Sequence, residues 1–159
     1  MGAGVEIERK FLVAGEFKSQ AVSSSRIRQG YIAHENGRTV RVRTRDDKAY
    51  LTIKGPSDAA GIGRFEWEQE IPVDEALSLM EICQGGFVDK TRYLVPCGGH
   101  VFEVDEFYGP NEGLVMAEVE LGSPDEPYQR PDWLGEEVTG DRRYYNSHLL
   151  ANPYCNWKQ

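Results

Sequence analysis

Carboxylates and cations alternate with apolar residues along this chain at the spacing of a β-strand. Glu6, Glu8 and Lys10 occupy every second position, against Val5, Ile7 and Phe11, with Arg9 the exception. A strand over Val5–Leu12 therefore has an ionic face and a largely apolar one. The rhythm returns along the chain. Arg41 and Arg43 oppose Val40 and Val42. Lys54, in phase with Tyr50 and Thr52, opposes Leu51 and Ile53. Arg64, Glu66, Glu68 and Glu70 oppose Phe65, Trp67 and Ile71. Lys90 and Arg92 share a face, Glu103 and Asp105 oppose Phe102 and Val104, and Glu118 and Glu120 oppose Ala117 and Val119. Signs come in strand-long blocks, with acids on the first, fifth, seventh and eighth strands and bases on the third, fourth and sixth. Gathered around one interior, the bases would take phosphate oxygens and the acids would hold hard divalent cations through oxygen. The ligand class that suits both is a polyphosphate with its metal. The ordinary alternative puts the charged faces in water and the apolar faces in the core. The rows would then be surface ion pairs, each worth about 0–1 kcal/mol, and composition alone favours that arrangement.

The elements that carry these residues follow from the same pattern. Strands are expected at Val5–Leu12, Ile27–Ala33, Arg38–Arg45, Lys48–Lys54, Arg64–Ile71 and Lys90–Val95, with two more around Glu103–Asp105 and Val115–Leu121. Asn36-Gly37 favours the positive φ angles of a type I′ hairpin turn. Asp46-Asp47, Gly98-Gly99 and Gly109-Pro110 are further turns. Gly15–Ser25 reads as a short helix, and Gly55–Gly63, poor in packing side chains, as a mobile loop. Asp74 is placed to cap a helix with Ala76, Leu79, Met80 and Cys83 on one stripe and Gly85 at its stop. Ser123–Pro131 is a Pro-rich linker, and Asp141 begins a last helix to about Ala151. Eight antiparallel strands of this kind can close into a barrel that holds side chains or one small ligand.

Composition narrows the classes. At 159 residues a single domain spanning 1–159 is expected, with room for a proper core. Net charge of −8 disfavours a general nucleic-acid binder, whose affinity rests on neutralising phosphates. No 18-residue apolar run exists to span a membrane. Glu6 and Glu8 come too early for a signal peptide, and Glu6 stands where myristoylation wants Ser or Thr. Cys83, Cys97 and Cys155 are odd in number and widely spaced, which argues against a disulfide framework and for a reducing, cytoplasmic setting.

The ordered set of motifs resembles the CYTH, or triphosphate tunnel metalloenzyme, superfamily, and within it the short bacterial inorganic triphosphatases. Glu6-x-Glu8-x-Lys10 is similar to its opening signature. Gly30-Tyr31-Ile32, Val40-Arg41-Val42-Arg43, Thr52-Ile53-Lys54-Gly55, Arg64-Phe65-Glu66, Lys90-Thr91-Arg92-Tyr93, Glu103-Val104-Asp105, Ala117-Glu118-Val119-Glu120, Val138-Thr139-Gly140-Asp141 and Tyr145-Asn146-Ser147 follow in family order. The resemblance implies an all-β fold with accessory helices: a closed eight-stranded antiparallel barrel, charged inside and helix-covered outside. It thereby reverses the preference drawn from composition. It further implies metal-dependent hydrolysis of a triphosphate with Mg²⁺ or Mn²⁺. Glu6, Glu8, Glu118 and Glu120 match its metal-binding carboxylates. Lys10, Arg41, Arg43, Lys54, Lys90 and Arg92 match the bases that clasp the triphosphate. Glu66, Glu68 and Asp105 match further acids that hold a second metal or orient water, and Lys10 with Tyr31 matches a dyad that activates water in some members.

The substrate expected is inorganic tripolyphosphate, because no aromatic shelf for a nucleobase is evident. A class IV-like adenylate cyclase, a nucleoside or thiamine triphosphatase, and a non-catalytic polyphosphate- or nucleotide-binding module are the competing readings. The expected partner is a small molecule, with no nucleic acid, no membrane and a possible homodimer. His34, His100 and His148 are scattered and without partners at metal spacing. Ser23-Ser24-Ser25 lacks a nucleophile elbow and reads as loop.

Overall fold

The computed structural model describes residues 2–157. Its strands are β1 (Gly2–Val13), β2 (Ser23–Glu35), β3 (Arg38–Arg45), β4 (Lys48–Ser57), β5 (Gly63–Ile71), β6 (Gln84–Cys97), β7 (His100–Phe107), β8 (Val115–Glu120) and β9 (Leu134–Glu137). Neighbours run β5-β4-β3-β2-β6-β7-β8-β1, and β5 pairs back onto β1, so eight antiparallel strands close a barrel. The closure divides β1. Its first half pairs with β5, Val5 opposite Phe65 and Glu6 opposite Arg64. Its second half pairs with β8, Lys10 opposite Glu118. The short β9 lies beside the end of β1, Phe11 opposite Glu137.

The barrel is ionic within and apolar without. Its outer wall is covered in three places, while Val5, Ile53 and Phe65 on β1, β4 and β5 stay exposed. Phe17 and Trp133, from the connections before β2 and β9, bury Phe11, Val95, Phe102, Val104, Ala117 and Val119. Helix α1 (Val73–Met80) seats Ala76 and Met80 on Val42 and Ala49. Helix α2 (Asn146–Ala151) and the turns flanking it bring Leu149 and Tyr144 onto Val88, Phe107, Leu114 and Met116. Each covering segment removes from water the hydrocarbon that the inward charges cannot use, and this burial drives closure. Among the described residues no helix is long and apolar enough to cross a membrane.

Several expectations are corrected. Gly15–Ser25 holds only a 3₁₀ turn at Lys18–Gln20, and Ser23–Ser25 already belongs to β2, paired with Leu94, Tyr93 and Arg92. Helix α1 stops at Met80, so Cys83 and Gly85 fall beyond it, and its N-cap is Pro72 rather than Asp74. Asp74 accepts instead from the Glu75 N–H within the first turn. The chain leaves the helix by tighter turns, Glu81, Ile82 and Cys83 N–H each donating to the carbonyl three residues back, and Gly85 and Gly86, with φ of 77° and 87°, make the start of β6 irregular. Asp141 caps a 3₁₀ turn, Arg142–Tyr144, by accepting from Arg143 N–H, and α2 follows as a separate element. Strand β9 is an addition to the eight expected, too short and acidic to show a period in the sequence. The Asn36-Gly37 turn is as expected, with φ of 53° and 81°.

Candidate active site

Registry, more than local shape, assembles the site. Because β1 pairs with β8 in the stated register, Lys10 Nζ meets Glu118 Oε2 at 3.0 Å, while Glu8 lies opposite Glu120. Because β1 also pairs with β5, Glu6 reaches Lys54 from β4, Nζ to Oε1 2.8 Å, and Lys54 lies 3.8 Å from Glu66. On β3, Arg43 donates to Glu68 Oε2 at 3.1 Å, and Thr52 donates to the same oxygen at 2.8 Å. Arg41 donates to Thr52 Oγ1 at 3.2 Å. From β6, Arg92 grips Asp105 with Nε and Nη2 at 2.8 and 2.9 Å, and Lys90 reaches the same carboxylate at 2.8 Å.

These side chains line one cavity of about 300 Å³. Glu6, Glu8, Lys10, Tyr31, Arg41, Arg43, Lys54, Glu66, Glu68, Lys90, Arg92, Glu118 and Glu120 all face it. Asp105 does not line it. It shares the inward face of β7 with Glu103 but is covered, 5 % exposed, with both oxygens held by Arg92 and Lys90. Asp105, expected to hold a metal or orient water, is here the counter-ion of two bases. The expected pairing of Lys10 with Tyr31 is likewise not what the geometry presents. Lys10 bonds Glu118 and lies 5.0 Å from the Tyr145 ring centroid, while the Tyr31 hydroxyl accepts from Gln29 Nε2 at 3.3 Å.

Sequence reasoning gave no site role to several residues that line the cavity. Arg64 and Glu103 belong to the period-two pattern but carried no site role, and Arg45 is in phase with Arg41 and Arg43, so the same pattern could have assigned all three. Thr139, Tyr145 and Asn146 arrive on the C-terminal segment, where no strand phase points inward. Thr139 Oγ1 accepts from the Lys10 backbone N–H at 2.9 Å, and Asn146 Oδ1 accepts from Lys90 Nζ at 3.1 Å.

Each wall repels itself. Burial, then Glu118 and Glu6, push Glu8 up to about 8, against the pull of Lys10 and Lys54. Burial and neighbouring acids also raise Glu66 and Glu120. Across the cavity, burial, Arg41 and Arg92 bring Arg43 down to about 10, despite Glu68. Burial brings Lys90 down to about 8 against the attraction of Asp105. Lys10 behaves oppositely. Burial works against its charge, but Glu118 and Glu8 more than offset this and hold the ammonium above the ordinary lysine range. Burial likewise opposes ionisation of Glu118, yet Lys10 and Arg92 hold it at about 2.

The donor set suits a hard divalent cation. Glu6, Glu8, Glu118 and Glu120 offer only carboxylate oxygen. Like charges directly opposite, as Glu8 and Glu120 are, destabilise a sheet unless a cation lies between them. Among the described residues no three carboxylates already converge as a metal cage. Glu6 and Glu118 are turned to Lys54 and Lys10, so binding would require those carboxylates to exchange an ammonium for the metal.

A closed barrel with ions inside and hydrocarbon outside is a tunnel for a highly charged ligand. The CYTH domain family matches residues 4–145, and the chain belongs to that family. It is 48 % identical over 157 residues to an inorganic triphosphatase of Acetivibrio thermocellus, covering 98 % of this chain and 99 % of that one. To the inorganic triphosphatase of Nitrosomonas europaea it is 38 % identical over 152 residues, covering 92 % and 97 %. The crystal structure of the inorganic triphosphatase NE1496 superposes with a TM-score of 0.66 at 34 % identity, covering 91 % and 96 %. A Hippeastrum protein with a dominant triphosphatase activity has a TM-score of 0.61, covering 75 % of this chain and 80 % of its own. At 16 % identity, that likeness carries the fold alone.

Proposed function

We propose that this chain is a metal-dependent triphosphatase that hydrolyses inorganic tripolyphosphate to diphosphate and phosphate inside the tunnel. The observation that carries this reading is a single cavity lined both by the carboxylates Glu6, Glu8, Glu118 and Glu120 and by the bases Arg41, Arg43, Lys54, Lys90 and Arg92. A polyphosphate with its metal satisfies both at once. Arg41, Arg43, Lys54, Lys90 and Arg92 hold phosphate oxygens by charge-assisted hydrogen bonds. Glu6, Glu8, Glu118 and Glu120 hold Mg²⁺ or Mn²⁺, with Glu66 and Glu68 as supporting acids. The bound cation supplies charge neutralisation and a water of lowered pKa. Lys10, ion-paired with Glu118 at 3.0 Å, serves as a phosphate ligand once Glu118 turns to the metal. Asp105 keeps Lys90 and Arg92 in place. Free thiols at Cys83, Cys97 and Cys155 suit a reducing compartment, the cytoplasm.

The test is phosphate release from tripolyphosphate, ATP and thiamine triphosphate, each with Mg²⁺ and with Mn²⁺. Tripolyphosphate is expected to be turned over best, chelator to abolish the reaction, and Glu8→Gln to lose turnover while keeping its fold. Cyclic AMP formed from ATP, or a nucleotide as much the best substrate, would transfer the chain to the cyclase or nucleotide readings. Tight binding without turnover under either metal would make it a binding module.

A further inference from the structure

On the inward face of β2, covered beside Tyr31 and Arg43, lies a buried amide that the reaction as described does not use. Gln29 is fully buried. Its Nε2 donates to the Tyr31 hydroxyl at 3.3 Å, and its Oε1 has no partner. A fully buried carboxamide satisfied by one long bond is costly, and an apolar residue of the same size would be the more stable choice. Gln29 is therefore poorly explained as packing.

The local backbone is shaped around it. Residues two apart in a strand share a face, which brings Gln29 beside Tyr31. Between them stands Gly30, where a Cβ would come within 2.8 Å of Cys83 Sγ. On the β6 side the register jumps at this point, from Gln29 opposite Val88 to Tyr31 opposite Gln84. Irregularities of this kind re-aim side chains beside active sites. On the other edge, Gln29 lies directly opposite Arg43 and Tyr31 opposite Arg41. The Nε of Arg43 is a second buried polar atom without a partner. Two of the bases proposed to hold phosphate thus flank the Gln29–Tyr31 pair.

We propose that Gln29 is a positioning residue for the triphosphate. By donating to the Tyr31 oxygen, its amide directs the Tyr31 O–H proton away from itself and into the tunnel, as a donor to a phosphate oxygen beside Arg41 and Arg43. Its Oε1 stands ready for the unpaired Arg43 Nε–H when that guanidinium closes on the ligand. Reversing the polarity of the amide would turn the tyrosine proton backwards and present only lone pairs to the phosphate. Gln29 acts through Tyr31 and Arg43 and does not itself touch substrate. This inference rests on the tripolyphosphate reading of the tunnel.

The experiment is calorimetric binding of tripolyphosphate, with steady-state kinetics, for Gln29→Met, Gln29→Glu, Tyr31→Phe and the Gln29→Met/Tyr31→Phe double variant. Gln29→Leu serves as a second apolar variant should the methionine pack badly. Loss of one directed hydrogen bond is expected to raise Kd and KM roughly three- to tenfold in Gln29→Met, with kcat little changed. The melting temperature should not fall, since an unpaired buried oxygen is removed. Gln29→Glu, which accepts the tyrosine proton, should bind markedly worse than Gln29→Met. The double variant should bind worse than Tyr31→Phe by clearly less than the effect of Gln29→Met alone, because the two changes share the tyrosine hydrogen bond and only the Arg43 contact remains to be lost. Unchanged affinity in the apolar variants, or full additivity with Tyr31→Phe, overturns the role of Gln29 and leaves the tunnel reading standing. A wild type that binds no tripolyphosphate defeats both.

Discussion

Lys90 shows most clearly how a residue's chemistry is set by what surrounds it. It is 1 % exposed, shares Asp105 with Arg92, and has its ammonium 5.5 Å from the Phe107 ring centroid. Its pKa falls from 10.5 to about 8, chiefly through burial. The sign of the linkage follows. Between about 8 and 10.5 the unfolded chain binds more proton than the folded one, so this group makes stability rise with pH across that window. Below it the full cost of burying the charge is present. Urea midpoints measured from pH 7.5 to 10 should therefore show a rising contribution in the wild type that disappears in Lys90→Met. Over the same range KM for tripolyphosphate should climb several-fold as the ammonium is lost. Parallel stability profiles in the two proteins would mean that Lys90 does not titrate there.

At the scale of elements, the question is what makes an ionic interior tolerable, and the answer lies outside the barrel. Trp133 is 2 % exposed and packs edge-on to Phe102 at 5.6 Å between centroids, with Phe17 at 6.0 Å. Its carbonyl accepts from Ala14 N–H at 2.7 Å and Gly15 N–H at 3.2 Å, tying the two covering segments together. Trp133→Ala is expected to cost about 3–5 kcal/mol, the range for emptying an aromatic core site. Trp133→Phe should cost much less, because the indole Nε1 is buried without a partner and its loss is no penalty. Chemical denaturation decides this. A silent Trp133→Ala would show that the outer layer is not the hydrophobic core.

For the molecule as a whole, the two walls couple metal and polyphosphate. Either ligand alone leaves one wall repelling itself and meets like charge from the other. Mg²⁺ alone and tripolyphosphate alone should each raise the melting temperature modestly, and together by more than the sum. Mass action gives the scale, about 2.7 kcal/mol of added stability at a hundredfold excess over Kd. To avoid turnover, the scan uses Ca²⁺ beside Mg²⁺, or short incubation with the product measured. A full shift from either component alone would break the coupling.

Much of this architecture was legible in the chain. Alternation marked the eight barrel strands, Asn36-Gly37 marked the first hairpin, and the blocks of like charge named nearly every charged residue that lines the cavity. Period two, however, defines two faces without saying which is inside. That choice depends on segments remote in sequence, Phe17 and Trp133 among them, that offer the apolar face a dry partner. The pairing of Glu6 with Lys54, and of Lys10 with Glu118, required closure of β1 onto β5 and β8. No local signal carries such a closure, because it joins residues whose proximity is paid for by burial elsewhere. Lys10 and Tyr31, adjacent in expectation, took different partners for the same reason. Residue types and their phase determined what chemistry the chain could perform, and only the tertiary register decided which charges would meet.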